Sequence, residues 1–305
     1  MTAPIQVRRD GLSPDGRWYT DSWGDGLLWS VEVQGVLRDL QTPYQHLRVL
    51  QTARLGRLMV LDHAVQVAEA DEAAYHELIV HPGLCRKGSR DGERKVLVIG
   101  GGDGGAAREA LRHPDVVRVD LVELDPEVPR AARELLPSIW RRPVGEGPLE
   151  DDPRFHLQVV DGARFVQDTG ERYDLIVVDS TDPVGPGEAL FTRAFYEGLA
   201  GLLQPGGAVA VQAGSWFFLP RALQLALRGL GEVFERVRAY QCWSAIYPGG
   251  LWNLVIATPG DDPAEVDVNR ADALSGCAYY SAAVHAAAFA LPPAVQEVIA
   301  GVERP

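Results

Sequence analysis

Two rhythms of apolar and polar residues divide the chain. Up to about residue 70, apolar positions alternate with polar ones in short runs: Leu28-Trp29-Ser30-Val31-Glu32-Val33, His46-Leu47-Arg48-Val49-Leu50, Leu58-Met59-Val60-Leu61 and Val65-Gln66-Val67. A period of two buries one face of a strand, and the turn residues Leu55-Gly56-Arg57 and Asp62-His63 predict antiparallel hairpins between the runs. Asp71 then holds the place of an N-cap for a helix through Leu78 that ends near Pro82-Gly83. Arg86 to Arg94 reads as a polar linker.

From residue 95 onward strands alternate with helices, and the runs Lys95 to Ile99 and Tyr173 to Val178 are apolar enough to be buried on both faces. Strands are predicted at 95–100, 118–124, 154–160, 173–179 and 207–213, with a closing pair at 237–245 and 251–258 around Tyr247-Pro248-Gly249-Gly250. Helices fill the gaps, most clearly 192–203 and 219–230, and the alanine-rich stretch 282–290 also reads as helical. Such runs suit a parallel sheet covered by helices on both sides. The predicted organisation is an N-terminal antiparallel β domain (1–70), a helix and linker (71–94), and an α/β Rossmann-like domain (95–305). Its seven-stranded sheet is expected to carry one antiparallel edge strand.

The chemistry begins at the turn Gly100-Gly101-Gly102-Asp103-Gly104-Gly105, between the strand Lys95 to Ile99 and the helical Ala106-Ala107-Arg108-Glu109-Ala110-Leu111. Strand, glycine turn and helix let backbone pass close to a nucleoside. Most such turns receive a pyrophosphate or a carboxylate, which Asp103 would repel, so the ligand is expected to be cationic at this point. Glu123 ends the next strand, placed to accept both ribose hydroxyls. Asp161-Gly162 follows a third strand, where a carboxylate can accept from an adenine amino group or simply cap a helix. The run Asp179-Ser180-Thr181-Asp182-Pro183-Val184-Gly185-Pro186-Gly187 adds two more carboxylates at the mouth of the sheet. Like charges converging there raise one another's pKa, an objection that a bound cation removes. The proline and glycines after Asp182 suggest a loop able to close over substrate.

Composition narrows the class. A chain of 305 residues, 46% hydrophobic and 23% charged, can bury a full core. A net charge of -13 opposes nucleic-acid binding and tolerates a cationic substrate, although acidic surfaces also serve solubility alone. Cys85, Cys242 and Cys277 are odd in number and far apart, which suggests neither a disulfide framework nor a thiolate metal site. No apolar run approaches a membrane span and Met1 to Asp10 lacks a signal-peptide hydrophobic region, so a cytoplasmic protein with no membrane partner is expected. His76 and His81 are five apart, a spacing that does not put both on one face of a helix as a zinc-protease motif requires. No metal site is expected. Trp18, Trp23 and Trp29 read mostly as core residues.

Together these residues resemble the polyamine aminopropyltransferases, and among them the spermidine synthases. The resemblance runs from about Trp18 to the C-terminus. It rests on Pro43-Tyr44-Gln45, Leu61-Asp62 with Gln66, Asp71-Glu72-Ala73-Ala74-Tyr75-His76-Glu77, Ile99 to Gly105 with Arg108-Glu109, and Val122-Glu123-Leu124-Asp125. It continues through Asp152-Pro153-Arg154, Asp161-Gly162, Asp179 to Gly187 with Leu190-Phe191, Tyr247-Pro248-Gly249-Gly250, Tyr279-Tyr280 and His285 to Pro292. The resemblance implies a methyltransferase-type sheet and transfer of an aminopropyl group from decarboxylated S-adenosylmethionine, a co-substrate and not a cofactor, to putrescine. Spermidine and methylthioadenosine would be the products. It also implies that Gln45, Glu123, Asp161, Gly162 and Pro186 hold the nucleoside and thioether part. Gln66 and Asp103 would bind the amino end of the aminopropyl chain. Trp23, Tyr75, His76, Asp182 and Tyr247 would line the diamine site with Gln212 nearby, and Asp179 would be the general base. A homodimer or homotetramer is implied as well, supported by an antiparallel sheet that needs cover for its edges and second face.

The residues agree with that chemistry. Ordinary S-adenosylmethionine carries a carboxylate that Asp103 opposes, whereas the decarboxylated form presents only an ammonium. An acceptor amine with a lysine-like pKa is nucleophilic in only about one molecule per thousand at neutral pH, a deficit of roughly 4 kcal/mol that a positioned carboxylate offsets. The chain departs from the family at Ser244-Ala245-Ile246, where proline and threonine are usual, and in a longer stretch from Trp140 to Pro148. Alternatives of the same class use agmatine, cadaverine or spermidine as acceptor. A methyltransferase, a nicotinamide dehydrogenase reading Gly100, Gly102 and Gly105 as its fingerprint, and a silent polyamine-binding protein are the remaining alternatives.

Overall fold

The structure, a computed structural model, describes residues 11–23, 27–180 and 190–301. The N-terminal sheet is an antiparallel meander of β1 (Gly11–Leu12), β2 (Trp18–Ser22), β3 (Leu28–Gln41), β4 (His46–Thr52), β5 (Arg57–Leu61) and β6 (Ala64–Ala68), in sequence order. Its alternation sends Leu47, Val49, Met59 and Val67 into the main core, while Tyr19, Val33, Leu50 and Leu58 form a small core on the other face. Strand β3 is longer than its alternating run suggested, and it leaves Leu28, Val36 and Leu37 exposed. Trp18 is exposed too, against its reading as a core residue.

Helix α1 (Glu72–Cys85) connects the two sheets and runs through Pro82, past the expected stop at Pro82-Gly83. A proline inside a helix strips the carbonyl four residues earlier of its hydrogen bond. That carbonyl is Leu78, and the buried Tyr240 hydroxyl donates to it at 2.9 Å. Asp71 precedes the helix without capping it by its side chain, a second departure from the local reading. The presumed linker ends are buried as well: Arg86 reaches the Gly206 carbonyl, and Arg94 donates to the Leu84 carbonyl at 2.7 Å and pairs with Asp115 at 2.6 Å. Both guanidinium groups therefore act as struts between α1 and the second sheet.

That sheet contains β7 (Arg94–Gly100), β8 (Val116–Glu123), β9 (Phe155–Val159), β10 (Tyr173–Asp179), β11 (Leu203–Gln212), β12 (Arg236–Trp243) and β13 (Leu251–Thr258). Between them run α2 (Gly105–Leu111), α3 (Glu127–Leu135), α4 (Gly162–Asp168), α5 (Arg193–Gly201) and α6 (Pro220–Gly231), and α7 (Val268–Ala273), α8 (Ala282–Ala288) and α9 (Pro293–Ile299) follow. The spatial order is β12-β13-β11-β10-β7-β8-β9. The antiparallel strand is β13, and it is inserted between β11 and β12 instead of lying at the edge as expected. A short turn returns the chain beside β12, and the free side of β11 accepts the same strand. Within β7, Val96 and Val98 face one core while Leu97 and Ile99 face the other, which explains the unbroken apolar run. Strand order reverses at β7, flanked by β8 on one side and β10 on the other, so a crevice opens at their carboxyl ends.

Candidate active site

A cavity of about 540 Å3 occupies that crevice, and both sheets contribute to its walls. The glycine turn forms its floor. At Gly100 (φ +78°) an added Cβ would stand 2.3 Å from the Asp179 carbonyl, so only glycine lets β7 and β10 end side by side. At Gly105 an added Cβ would meet the His76 ring at 2.2 Å, so this glycine admits the imidazole to the pocket.

Asp103 stands on the turn, with Oδ1 accepting from the Gly105 amide at 2.7 Å. His76 approaches from α1, its Nε2 3.3 Å from the same Oδ1 and its Nδ1 2.6 Å from Glu72 Oε2. Glu72 in turn accepts from Arg108 Nη2 at 2.7 Å. Burial would raise the Glu72 carboxyl, but His76 and Arg108 outweigh it and hold it down at about 2. Asp179, at the end of β10, accepts from the Tyr75 hydroxyl at 2.6 Å. Burial, joined by the charge of Asp103 and opposed by His76 and the Tyr75 hydroxyl, pushes Asp179 up to about 6. Ligating atoms of His76, Asp103 and Asp179 lie within 4.8 Å of one another and surround a space suited to a cation. Glu77, His81 and Cys277 form another such group on the far side of α1, but Glu77 is spent on the amides of Ala278, Tyr279 and Tyr280. His76 and His81 thus belong to different clusters.

On the wall at the end of β8, Glu123 is pushed up to about 7 by burial, against amide hydrogen bonds from the following backbone and with the help of Asp125 and Asp103. Gln45 donates to Asp125 at 3.0 Å along the same wall. Asp161 does cap α4, accepting from the Ala163 and Arg164 amides, and with Gly162 it also lines the cavity.

On the other side, Tyr247 stacks on Trp252 with ring centroids 4.1 Å apart, and Trp23 meets Trp252 edge-on at 5.8 Å. The Tyr247 hydroxyl donates to the Gln66 carbonyl at 2.9 Å. Gln66 lines the wall and Gln212 closes it, donating to the Ser180 carbonyl at 3.0 Å. Asp71 gathers the departing turn: its Oδ2 accepts from the Ala245 amide at 2.7 Å, the Ile246 amide at 3.3 Å and the Ser244 hydroxyl at 3.1 Å. The segment Ser244-Ala245-Ile246 is thereby fixed to the head of α1. Trp140, in the longer stretch, packs beneath Gly104.

Of the residues singled out from sequence, Gln45, Gln66, Trp23, Tyr75, His76, Asp103, Glu123, Asp161, Gly162, Asp179, Gln212 and Tyr247 line this one cavity. Asp182 and Pro186 lie outside the described residues. Sequence reasoning missed Asp71 as a wall residue, Glu72 and Trp252. The spacing of Glu72 and His76, one turn apart on a helix, was the available signal for Glu72.

Residues 17–69 match the family described as the spermidine synthase tetramerisation domain, and residues 72–269 match the spermine/spermidine synthase domain. The polyamine aminopropyltransferase of Moorella thermoacetica is 39% identical over 288 residues, covering 94% of this chain and 98% of its own. That of Bacillus subtilis is 36% identical over 282 residues, covering 92% and 98%. A solved spermidine synthase in complex with the transition-state analogue AdoDATO superposes with a TM-score of 0.87 at 31% identity, covering 97% of this chain and 99% of that one. The spermidine synthase from Thermotoga maritima superposes at 0.85 with 30% identity, covering 99% and 100%. A cation-seeking pocket on this fold, matched over nearly its whole length, places the chain in the spermine/spermidine synthase family.

Proposed function

We propose that the protein is a spermidine synthase, transferring the aminopropyl group of decarboxylated S-adenosylmethionine to putrescine with release of methylthioadenosine. The observation that carries this reading is the pairing of Asp103 with Asp179 across the glycine turn, a site that favours an ammonium and disfavours a carboxylate. Glu123, Asp161 and Gln45 hold the nucleoside, while Asp103 and Gln66 take the aminopropyl ammonium. The acceptor lies between Tyr75, Trp23 and Tyr247, with Asp182 as the anchor of its distal ammonium. Asp179 takes a proton from the reacting ammonium, and the freed lone pair attacks the methylene beside the sulfonium. The carbon–sulfur bond breaks with its electron pair going to sulfur, so the leaving thioether is neutral and needs no acid. Tyr75 holds Asp179 in line, and proximity and orientation supply the rest.

A four-carbon diamine needs one anionic anchor and one base, whereas the planar guanidinium of agmatine needs a bidentate partner and more depth. Putrescine is therefore the proposed acceptor. The N-terminal sheet, with Leu28, Val36 and Leu37 exposed on β3, is the proposed assembly surface of a homodimer or homotetramer. The deciding experiment incubates the protein with decarboxylated or ordinary S-adenosylmethionine and equal concentrations of putrescine, agmatine, cadaverine and spermidine, with products identified by mass. Methyl transfer from the ordinary form would replace the reading altogether. Agmatine or spermidine winning by about tenfold in kcat/KM, about 1.4 kcal/mol, would reject putrescine and leave aminopropyl transfer standing.

A further inference from the structure

His76 is buried, and each of its ring nitrogens faces a carboxylate: Nδ1 is 2.6 Å from Glu72 Oε2 and Nε2 is 3.3 Å from Asp103 Oδ1. A neutral imidazole has one N–H and one lone pair, so it satisfies only one such neighbour and sets its lone pair against the other. Two carboxylate neighbours call for two donors. The groups around the ring are Glu72 on its own helix, with Arg108 of α2 behind it, Asp103 on the glycine turn, Asp179 at the end of β10, Asp71 at the head of α1, and the edge-on Tyr75 ring at 5.4 Å. The carboxylates outnumber the cations in this set. Burial works against the charged ring, but Asp103 and Glu72 outweigh it and hold the His76 pKa well above its ordinary value.

We propose that His76 is the stand-in cation of the empty aminopropyl pocket: an imidazolium bridging Glu72 and Asp103, which releases its Nε2 proton to solvent when the donor's ammonium takes over Asp103. The donor brings two positive charges, its sulfonium and its ammonium; at Asp103 the ammonium takes the place of the imidazolium proton, which leaves to buffer, so the charge facing that carboxylate is unchanged. The Nδ1–H remains on Glu72, which Arg108 anchors. Nε2 then presents a lone pair, so the ring changes from a donor toward Asp103 into an acceptor for the incoming ammonium. A pocket of buried carboxylates is thus kept folded and neutralised before substrate arrives, with no metal or solute required to fill it. This inference rests on the proposed reaction and makes His76 a specificity element of it.

The test is calorimetry of decarboxylated S-adenosylmethionine binding in buffers of different ionisation enthalpy, with no acceptor amine present. The donor's ammonium is not the nucleophile and stays protonated, so released protons report on the protein. The wild type should release about one proton per site near neutral pH, with donor Kd falling about tenfold per unit rise in pH, while methylthioadenosine, which carries neither the ammonium nor the sulfonium, should release about none. His76→Gln, which keeps a hydrogen-bonding amide but cannot titrate, should abolish both the release and the slope. In parallel, nitrogen NMR of the ligand-free wild type should show His76 as imidazolium, a readout that needs neither ligand nor variant. A neutral His76 in the free protein overturns the proposal, as does donor binding of normal affinity without proton release. Failure of the donor to bind at all overturns the reaction reading and, with it, the displacement.

Discussion

Removing the carboxylate at 179 probes the centre of the proposed reaction, and the size of the effect follows from the site. An ordinary aspartate facing an alkyl ammonium lies about six and a half pKa units too low, an unfavourable transfer of about 9 kcal/mol. Burial beside Asp103 lifts Asp179 to about 6 and so narrows the gap by about two units, or about 3 kcal/mol. In Asp179→Asn the amide still accepts from the Tyr75 hydroxyl, so the pocket keeps its shape, but the acceptor must lose its proton to bulk water. Near pH 7 only about one acceptor in a few thousand is then free, so turnover is expected to fall by about a hundredfold to a few thousandfold. Because the free amine grows tenfold per pH unit, the ratio of wild-type to mutant kcat/KM should shrink by about tenfold per unit between about pH 7 and about pH 9. The assay is methylthioadenosine release under saturating donor across that range. Methylthioadenosine affinity should stay unchanged, since Asp179 does not hold the nucleoside. A large loss that is the same at every pH would refute the argument, because it would make Asp179 an electrostatic anchor and not the base.

Tyr75→Phe removes a hydrogen bond that favours ionised Asp179, so the carboxyl pKa rises and the acid limb of kcat/KM, near pH 6 in the wild type, should move upward. A limb that stays in place or moves downward would show that Tyr75 does not tune the base. Asp103→Asn should weaken decarboxylated S-adenosylmethionine by about 1–3 kcal/mol and narrow the preference over the ordinary form, measured by calorimetry on both ligands. An unchanged affinity ratio would remove discrimination from Asp103. Tyr240→Phe should cost about 1–3 kcal/mol of stability by leaving the Leu78 carbonyl buried without a donor. Adding Pro82→Ala restores an amide to that carbonyl and should recover part of the loss in thermal or denaturant unfolding; simple additivity of the two substitutions would disprove the coupling.

The legible part of this protein is the part governed by short-range pattern. The central strands β7 and β10 show as apolar runs, and the Asp103 turn and Asp179 announce a cation from the sequence alone. What sequence hides depends on distant partners. Pro82 reads as a stop because its remedy, Tyr240, lies 162 residues beyond the Leu78 carbonyl it serves. Asp71 reads as a cap because the amides it serves lie 174 and 175 residues away. Strand β13 reads as an edge because insertion beside β11 is a property of topology, not of local composition. Trp252 escaped notice because an apolar strand gives no sign of which aromatic will stack on Tyr247.

The tie between Asp71 and the turn at Ser244 also sets an order of events during synthesis. Domains emerge from the ribosome amino end first, so the N-terminal sheet, α1 and the glycine turn are present long before the hairpin of β12 and β13. Until that hairpin arrives, the Asp71 carboxylate is without the Ala245 and Ile246 amides and the pocket lacks Tyr247 and Trp252, half of its aromatic side with Trp23 and Tyr75. On the proposed reading, a nascent chain can therefore assemble much of the cleft for the nucleoside while the acceptor side still lacks Tyr247 and Trp252. Ribosome-stalled chains ending before residue 244 should bind methylthioadenosine better than they use any amine, and catalytic competence should appear only after the last strand has threaded into the sheet. The finished enzyme thus carries its own check for completeness: the reaction waits on one of the last pieces of the chain to be made.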